Sequence, residues 1–411
     1  MSVSTPTRSV PPELMAPPRS AYVHIPFCRR RCYYCDFPIS VVGDRRRGET
    51  SGTMAQYVAY LCQEIKSTPA LGVPLTTVFL GGGTPSLLSV AQLTTVLEVI
   101  DQQFGIARDA EISMEMDPGT FDLSHVRGYR QGGINRISLG VQAFQSELLQ
   151  ACGRTHSVAD IDLAFDLLHQ AATPNISLDL ISGLPYQTQE IWADSLAQAI
   201  ALKPHHISVY DLTVEPQTAF GKWYQAGQTP LPADELTVDM YRLAQDTLTA
   251  AGYHHYEISN YAQPGHRCRH NLTYWKNQPY YGFGMGATSY VHNQRFSRPR
   301  TIRAYREWVE QYKMHWGAIA CETTPIVETL LDQVMVGLRL ADGISLKQIG
   351  ERYGETGRDR LLKSLYAFEN KGWIIFDSDT IRLSDPEGFL FSNVVLTAVF
   401  EQLSEVNIEH F

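Results

Sequence analysis

The chain of 411 residues has little of what marks a membrane protein or a nucleic-acid-binding protein. No apolar run reaches the roughly 20 residues that a membrane-spanning helix needs. Lysine and arginine total 34 against 43 aspartate and glutamate, a formal net charge of −9, so the basic footprint of a nucleic-acid binder is missing. We therefore expect no nucleic-acid partner, and modification of RNA is disfavoured.

The N-terminal region lacks the charged and then apolar pattern of a signal peptide. Residues 1–19 contain five prolines and predict a flexible lead rather than a folded element. The whole chain has only seven cysteines, and their spacing is not that of a disulfide framework. These absences favour a reducing, cytoplasmic location.

Three of the cysteines stand together in the segment His24-Ile-Pro-Phe-Cys28-Arg-Arg-Arg-Cys32-Tyr-Tyr-Cys35-Asp-Phe37. Their C-x3-C-x2-C spacing supplies three thiolates to a [4Fe-4S] cluster and leaves the fourth iron open to a small molecule. A structural cluster normally takes a fourth thiolate, so the open position indicates an iron that binds a substrate or cofactor. The alternatives are a disulfide with one free thiol and a zinc site, but zinc needs a fourth ligand and no paired motif lies nearby.

From residue 20 onward, apolar and β-branched segments alternate with helical patterns, which is typical of parallel βαβ units. Between the strands, apolar residues three and four apart, as in Tyr57, Leu61 and Ile65, predict amphipathic helices. The fold class is therefore α/β, a partial (β/α)6 barrel in which chemistry collects at the C-terminal ends of the strands. The six predicted strands span 21–27, 76–81, 111–116, 136–142, 177–181 and 206–212.

The polar motifs of this region fall where the predicted strands end. Gly82, Gly83 and Thr84 form a glycine-rich turn, which lets the backbone approach a ligand closely. Glu115 lies on an otherwise apolar strand, where an unpaired charge would be costly, so it needs a ligand or a structural ion pair.

Three further polar residues, Gln142, Arg154 and Asp179, follow along the barrel. Each is compatible with a ligand contact or with a structural role, since a buried arginine and aspartate can pair with each other.

A second unusual stretch, residues 253–286, alternates aromatic residues, histidines and glycines. Aromatic rings can stack on a flat ligand, glycines permit close approach, and an imidazole can ligate iron. One alternative is an aromatic packing layer beneath the barrel. Another is a zinc site formed by His266, Cys268 and His270, for which no fourth ligand is evident.

Beyond residue 325 the pattern changes to helices followed by a hairpin around residues 377–379, which is typical of a small winged-helix-like domain. An acidic hairpin loop without a lysine and arginine cluster favours a lid or docking role over DNA binding. We therefore divide the chain into four parts. They are a lead (1–19), a barrel (20–252), an aromatic and histidine-rich connecting segment (253–324) and a C-terminal domain (325–411).

The cysteine motif resembles that of the radical S-adenosylmethionine superfamily. In that superfamily the amino and carboxylate groups of S-adenosylmethionine chelate the open iron, and an aromatic residue just before the last cysteine, here Tyr34, lies near the adenine. The resemblance implies that Cys28, Cys32 and Cys35 hold the cluster. It implies that S-adenosylmethionine is bound by Tyr22, Tyr34, Gly82, Gly83, Thr84, Glu115, Gln142, Arg154 and Asp179.

The motifs Tyr22-Val-His-Ile-Pro-Phe and Cys32-Tyr-Tyr-Cys35 resemble those of one branch of this superfamily. That branch contains the oxygen-independent coproporphyrinogen III dehydrogenase and the HemW-type haem chaperones. The resemblance covers roughly residues 20–400. The sequence His-Asn-x-x-Tyr-Trp resembles the motif associated with haem binding in HemW-type proteins. Its residues here are His270, Asn271, Tyr274 and Trp275.

Two departures from the dehydrogenase pattern favour the chaperone branch. Phe37 stands where the dehydrogenase carries a further cysteine, and only a proline-rich lead precedes Tyr22. The resemblance thus implies a protein that binds haem and hands it to haem-dependent acceptor proteins, with membrane-associated acceptors among the candidates, and an electron donor for the cluster. The alternative is an enzyme that oxidatively decarboxylates coproporphyrinogen III.

Overall fold

The computed structural model describes residues 16–44, 47–318 and 324–404 of the chain, so most of the predicted lead lies outside the described residues. The first part of the barrel alternates strands and helices. Its elements are β1 (Ser20–Ile25), β2 (Phe27–Cys28), β3 (Ser40–Val41), α1 (Gly52–Ser67), β4 (Leu75–Gly82), α2 (Val90–Phe104), β5 (Ile106–Met116), α3 (Leu123–Gln131) and β6 (Arg136–Gln142).

The alternation continues through the second part of the barrel. These elements are α4 (Ser146–Ala151), α5 (Val158–Gln170), β7 (Ile176–Ser182), α6 (Gln189–Ala201), β8 (His206–Asp211), α7 (Ala219–Trp223) and α8 (Asp234–Ala250). The connecting segment adds β9 (His254–Glu257), β10 (Asn260–Ala262), α9 (Arg269–Trp275), β11 (Tyr281–Phe283), β12 (Thr288–Val291), β13 (Gln294–Ser297) and α10 (Ile302–Met314).

The large sheet has the strand order β11-β1-β4-β5-β6-β7-β8-β10-β9. Strands β1 and β4 to β8 are parallel neighbours, which confirms the predicted α/β fold with six parallel strands. The sequence did not predict β11, which extends the sheet beside β1, or the antiparallel pair β10 and β9 beside β8. Because all six strands point the same way, their C-terminal ends meet at one rim.

The helices begin at recognisable caps and cover the sheet with apolar faces. Ser89 and Gln92 form a capping box at α2, and Ser157 and Asp160 form another at α5. Leu61 and Ile65 of α1 and Leu93 and Ile100 of α2 are fully buried. Periodicity and caps agree in these helices, which is why the sequence predicted them well.

A buried ion pair anchors the connecting segment to the barrel. Arg298, which follows β13, lies 2.7 Å from Glu64 of α1, and both side chains are fully buried. The same carboxylate accepts hydrogen bonds from the Tyr305 hydroxyl at 2.5 Å and from the Gly284 amide at 2.8 Å. Such an enclosed charge pair fixes one geometry, and losing one partner typically costs about 3–5 kcal/mol. It holds the turn at residues 284–286 against the barrel.

The C-terminal region has a hydrophobic core of its own and a small antiparallel sheet, β14-β16-β15. Its elements are α11 (Ile326–Gly337), β14 (Ile344–Ser345), α12 (Leu346–Glu369), β15 (Ile374–Asp377), β16 (Thr380–Leu383), α13 (Glu387–Leu390) and α14 (Ser392–Ser404). Helix α12 is broken at Gly354, whose φ of +80° is not helical. The helices followed by a hairpin agree with the predicted winged-helix-like arrangement. No helix in the described part of the chain is long and apolar enough to cross a membrane.

Candidate cofactor site

A cavity of about 460 Å³ opens at the rim where the parallel strands end. The structure brings nearly all the predicted cluster and S-adenosylmethionine residues to its wall. The predicted residues that line it are Cys28, Cys32, Tyr34, Cys35, Gly82, Gly83, Thr84, Glu115, Gln142, Arg154 and Asp179. Tyr22 does not line this cavity; its hydroxyl lies 3.0 Å from Nδ1 of His24.

The cluster loop, residues 28–38, is held by backbone hydrogen bonds and by arginine side chains, among them Arg31. The Cys35 amide donates to the Cys32 carbonyl at 3.2 Å, and the Tyr33 amide donates to the Cys152 carbonyl at 3.0 Å. The Arg31 guanidinium donates to the carbonyls of Cys35 and Phe37, each at 3.1 Å. Arg31 was not among the predicted site residues, and its place in the sequence between two proposed ligands, Cys28 and Cys32, was the one available signal. These contacts hold the backbone around Cys35.

The three thiols suit metal binding by their chemistry. All three cysteines are free and partly buried. Burial, followed by the nearby Asp117 carboxylate, raises the pKa of the Cys28 thiol to about 12, and burial also raises the pKa of Cys35. A metal must therefore displace these protons when it binds, as thiolate ligands require. Because the irons of a cuboidal cluster lie apart, its thiolates need not meet at one point.

Arg154 and Asp117 connect the cluster loop to the strand ends. Arg154 Nη2 donates to Asp117 Oδ1 at 2.6 Å and to the Gly140 carbonyl at 2.8 Å, and its Nη1 lies 3.6 Å from the Cys32 sulfur. The Thr84 hydroxyl donates to the other Asp117 oxygen at 3.1 Å. Asp117 was not among the predicted site residues. Its position two residues after Glu115 was a usable signal, since side chains two apart on a strand share a face.

Gly82 and Glu115 meet at the inner wall of the cavity. The Gly82 amide donates to Glu115 Oε2 at 2.9 Å. Gly82 has a φ of +109°, and an added Cβ would overlap the His24 ring, so the turn requires glycine here. Burial, followed by the carboxylates of Asp179 and Asp117, raises the pKa of Glu115 to about 7. Near neutral pH this carboxyl is therefore poised to accept a hydrogen bond from a ligand or to keep its proton.

The far wall carries Asp179 and Gln142. Asp179 accepts a hydrogen bond from the Ser138 hydroxyl at 3.1 Å, and burial raises its pKa. Gln142 has a φ of +67° where the pairing of β6 with β7 shifts register after Gly140. Such strain in a residue other than glycine is typical of functional sites, because surrounding structure must hold it.

His24 of β1 contacts the C-terminal end of the cluster loop at Pro38. It was not among the predicted site residues. Its Nε2 lies 2.9 Å from the Pro38 carbonyl, and its Nδ1 lies 3.0 Å from the Tyr22 hydroxyl. Burial lowers the pKa of His24 to about 4, so the ring is neutral near pH 7. A neutral ring that donates to Pro38 accepts from Tyr22, and this fixes the tautomer. Tyr22 thus acts on the site through His24.

We expect Glu115→Gln to stabilise the cluster-free protein at high pH. The pKa of about 7 lies above the ordinary value of 4.5, so the native state holds this proton more tightly than the unfolded chain does. The stability that the proton contributes is complete below about pH 4.5 and is lost as pH rises through about 7. Glutamine stays neutral, so the variant should gain about 1–3 kcal/mol at pH 8 and little at pH 5.

Urea unfolding of both proteins at several pH values measures this difference. Glu351→Gln is a suitable control because that side chain is 64% exposed. The raised pKa of Glu115 would be contradicted if Glu115→Gln changed the free energy of unfolding by the same amount at pH 5 and at pH 8.

The predicted haem residues lie elsewhere, on helix α9 at the opposite end of the strands. His270 is 1% exposed, and both ring nitrogens are engaged, Nδ1 with the Thr77 hydroxyl at 2.8 Å and Nε2 with the Tyr274 hydroxyl at 2.7 Å. Glu111 accepts from the backbone amides of Arg269 and His270, each at 3.0 Å, and so caps the helix. Burial lowers the pKa of His270 to about 3. In this arrangement no ring nitrogen of His270 is open to a ligand.

The other predicted members of this motif are more accessible. Asn271, Tyr274 and Trp275 are half-buried, and the Arg339 guanidinium lies 5.9 Å from the Trp275 ring. This contact joins α9 to the C-terminal region.

The zinc alternative for this stretch is not supported. The His266 ring packs against His205 with centroids 4.5 Å apart, whereas the Cys268 thiol lies 3.6 Å from a Glu111 oxygen. Within residues 16–44, 47–318 and 324–404, no three histidine, cysteine or acidic side chains are arranged to hold a single metal ion.

Comparison with known proteins identifies the family. Residues 22–199 match the radical SAM superfamily, and residues 328–391 match the HemN C-terminal domain. The heme chaperone HemW of Synechocystis is 48% identical over 404 residues, covering 94% of this chain and 98% of the relative. The chain belongs to the HemW family. The HemW of Bacillus subtilis is 34% identical and is covered over its full length.

A solved structure agrees with this fold. The coproporphyrinogen III oxidase HemN of Escherichia coli superposes with a TM-score of 0.78 at 24% identity, over 93% of this chain and 90% of the enzyme. This likeness shows the fold alone. Membership of the radical SAM superfamily implies a [4Fe-4S] cluster and S-adenosylmethionine as cofactors, and HemW membership is consistent with haem.

Proposed function

We propose that this protein binds haem and transfers it to haem-dependent acceptor proteins. The observation that carries the proposal is the 48% identity, across 98% of its length, to a protein named heme chaperone HemW. Membrane-associated proteins are among the candidate acceptors. We further propose a cytoplasmic location and a reductant that supplies electrons to the cluster.

Within this proposal, Cys28, Cys32 and Cys35 hold the cluster, and its open iron, when present, supplies a binding position for S-adenosylmethionine. The glycine turn offers backbone groups at the cavity wall, and Glu115 offers a carboxyl beside it. The shared cavity supports the assignment of the remaining cofactor residues. These are Tyr34, Gly83, Thr84, Gln142, Arg154 and Asp179 as contacts and Tyr22 as a support acting through His24.

The alternative function is oxidative decarboxylation of coproporphyrinogen III, for which the HemN fold is the supporting observation. Phe37 argues against it, because this side chain, on the cavity wall and 56% exposed, has no sulfur where the dehydrogenase pattern has a cysteine. The test is anaerobic titration of the cluster-loaded protein with haem, followed by a coproporphyrinogen III assay. We expect a saturable Soret band and no decarboxylated product. Turnover without haem binding would establish the alternative.

The haem residues that we propose are His270, Asn271, Tyr274 and Trp275. Because both ring nitrogens of His270 are engaged, ligation of haem iron requires the imidazole to leave Thr77 or Tyr274. We expect His270→Ala to weaken haem binding about 10- to 100-fold with unchanged cluster iron.

Tyr274→Phe is the matched variant, since it releases Nε2 and keeps the ring. A ligating imidazole predicts that Tyr274→Phe binds haem more tightly than the unmodified protein, because Nε2 no longer has to leave a hydrogen bond. A packing role predicts an unchanged affinity for Tyr274→Phe, because the ring remains. Cys268→Ser tests the alternative that the Cys268 thiolate, two residues before His270, ligates the haem iron. Full haem affinity in His270→Ala, with loss in Cys268→Ser, would contradict the histidine assignment.

A further inference from the structure

A second cavity lies beside the cofactor cavity, along the cluster loop. Its volume is about 400 Å³, and Arg30, Gly153 and Arg154 line both cavities. The described residues that line it include three arginines and one histidine but no carboxylate. The chain as a whole carries a net charge of −9, so this local excess of arginine favours an anionic ligand.

Arg30 is the arginine that is available to such a ligand. Arg154 is bound to Asp117 at 2.6 Å, and Arg31 donates to backbone carbonyls of the cluster loop. The Arg30 side chain is 67% exposed, and its ion pair with Asp44 is long, at 3.4 Å. An exposed pair of this kind contributes little, so Arg30 can turn toward a ligand carboxylate at small cost.

Two exposed aromatic rings follow one another at this cavity, since Tyr33 lines it and Trp223 packs against Tyr33. The rings of Tyr33 and Trp223 are 4.9 Å apart in an edge-to-face arrangement, and the two residues are 37% and 55% exposed. The backbone of Tyr33 is held by two hydrogen bonds. Its amide donates to the Cys152 carbonyl at 3.0 Å, and its carbonyl accepts from the Phe220 amide at 2.9 Å. Large aromatic rings that are exposed on a fixed backbone are suited to binding, because little order is lost when a ligand arrives.

We propose that Tyr33, Trp223 and Arg30 form a docking surface for a planar tetrapyrrole that carries carboxylate groups. The ring system packs against Trp223 and Tyr33, and a carboxylate faces Arg30. This inference rests on the proposed function, in which the tetrapyrrole is haem. The surface lies at the opposite end of the strands from His270, so it is a separate contact and requires no movement of α9.

The proposed docking surface does not contact the haem iron. Iron-free protoporphyrin therefore tests this surface without any contribution from iron ligation by His270. We expect the full-length, cluster-loaded protein to bind this probe, as followed by porphyrin fluorescence. Trp223→Ala should weaken binding about three- to tenfold, and Trp223→Phe should weaken it less because a ring remains. Arg30→Ala should weaken binding about two- to fivefold, which is the range that an exposed ion pair allows. The dimethyl ester, which lacks free carboxylates, should bind Arg30→Ala and the unmodified protein equally.

Matched controls exist in the same chain. Trp316 is 87% exposed and the Arg303 side chain is 86% exposed, both on or just after α10, and their alanine variants should bind the probe normally. His270→Ala should also bind the iron-free probe normally. Equal affinities in Trp223→Ala, Arg30→Ala and the controls would overturn the docking surface while leaving haem binding intact. Failure of the unmodified protein to bind haem itself would instead refute the proposed function.

Discussion

Replacing Cys28, Cys32 or Cys35 with serine is expected to abolish the iron–sulfur cluster. Reconstitution of the unmodified protein without oxygen should give about four irons per chain, and each single variant should fall close to none. The reason is that three thiolates supply all the protein ligands, so losing one leaves two irons without a protein ligand. Iron and sulfide content and the brown chromophore measure the result.

The controls for this prediction are cysteines away from the loop. Cys62 is buried on α1 and is 8% exposed, so Cys62→Ser should keep its iron. Cys152 is a stricter control, because its carbonyl holds the Tyr33 amide but its thiol is not a proposed ligand. The ligand assignment is wrong if Cys152→Ser loses the cluster through its thiol while one of the three loop variants retains full iron.

The sequence predicted the barrel well because its signals are local. Residues 136–142 were predicted as a strand and form β6 over the same residues. In β5 the predicted start at 111 was late, since the strand begins at Ile106 and its first residues include exposed Arg108 and Asp109. The three-residue strand β11 was missed because its partner β1 is distant in sequence, and so short a segment has no periodicity of its own.

The site shows the same division between local and distant information. The motifs predicted that the three cysteines, the glycine turn and Glu115 gather at one end of the barrel, and in the structure they line one cavity. The contacts of His24 with Pro38 and of Asp117 with Arg154 depend on the fold, because in each case the partner lies outside the sequence motif that was recognised. For His270 the sequence indicated an iron ligand, whereas the structure encloses the ring against Thr77, 193 residues away. No local pattern reports such a partner.

The cluster loop also contacts the segment that follows the predicted haem motif. The Arg300 guanidinium donates to the Asp36 carbonyl at 2.8 Å, and a Cβ at Gly286 would overlap Pro38. The buried pair of Glu64 and Arg298 holds this segment in place. Changes at the connecting segment can therefore reach the cluster loop through the backbone around residues 36–38.

Gly82→Ala is expected to weaken S-adenosylmethionine binding at least about tenfold while the cluster stays intact, with a still larger effect for Gly82→Val. Two costs act together at this position. The φ of +109° is strained for any residue with a Cβ, and the added atom would overlap the His24 ring. Displacing that ring or the backbone would also disturb the amide that donates to Glu115. The proposed cluster ligands lie on a different loop, which backbone hydrogen bonds of Tyr33 and Cys35 hold in addition to the His24 contact, so iron content should be kept.

Gly72→Ala separates the two costs. Gly72 also has a positive φ, +91°, but an added Cβ there would meet no atom within 4 Å, so the variant carries backbone strain without overlap at the site. The measurement is the paramagnetic signal of the reduced cluster during titration with S-adenosylmethionine, together with iron content. We expect Gly72→Ala to respond like the unmodified protein and Gly82→Ala to respond only at much higher cofactor concentration. If both variants reach half-saturation at the same concentration, the glycine turn does not contact S-adenosylmethionine.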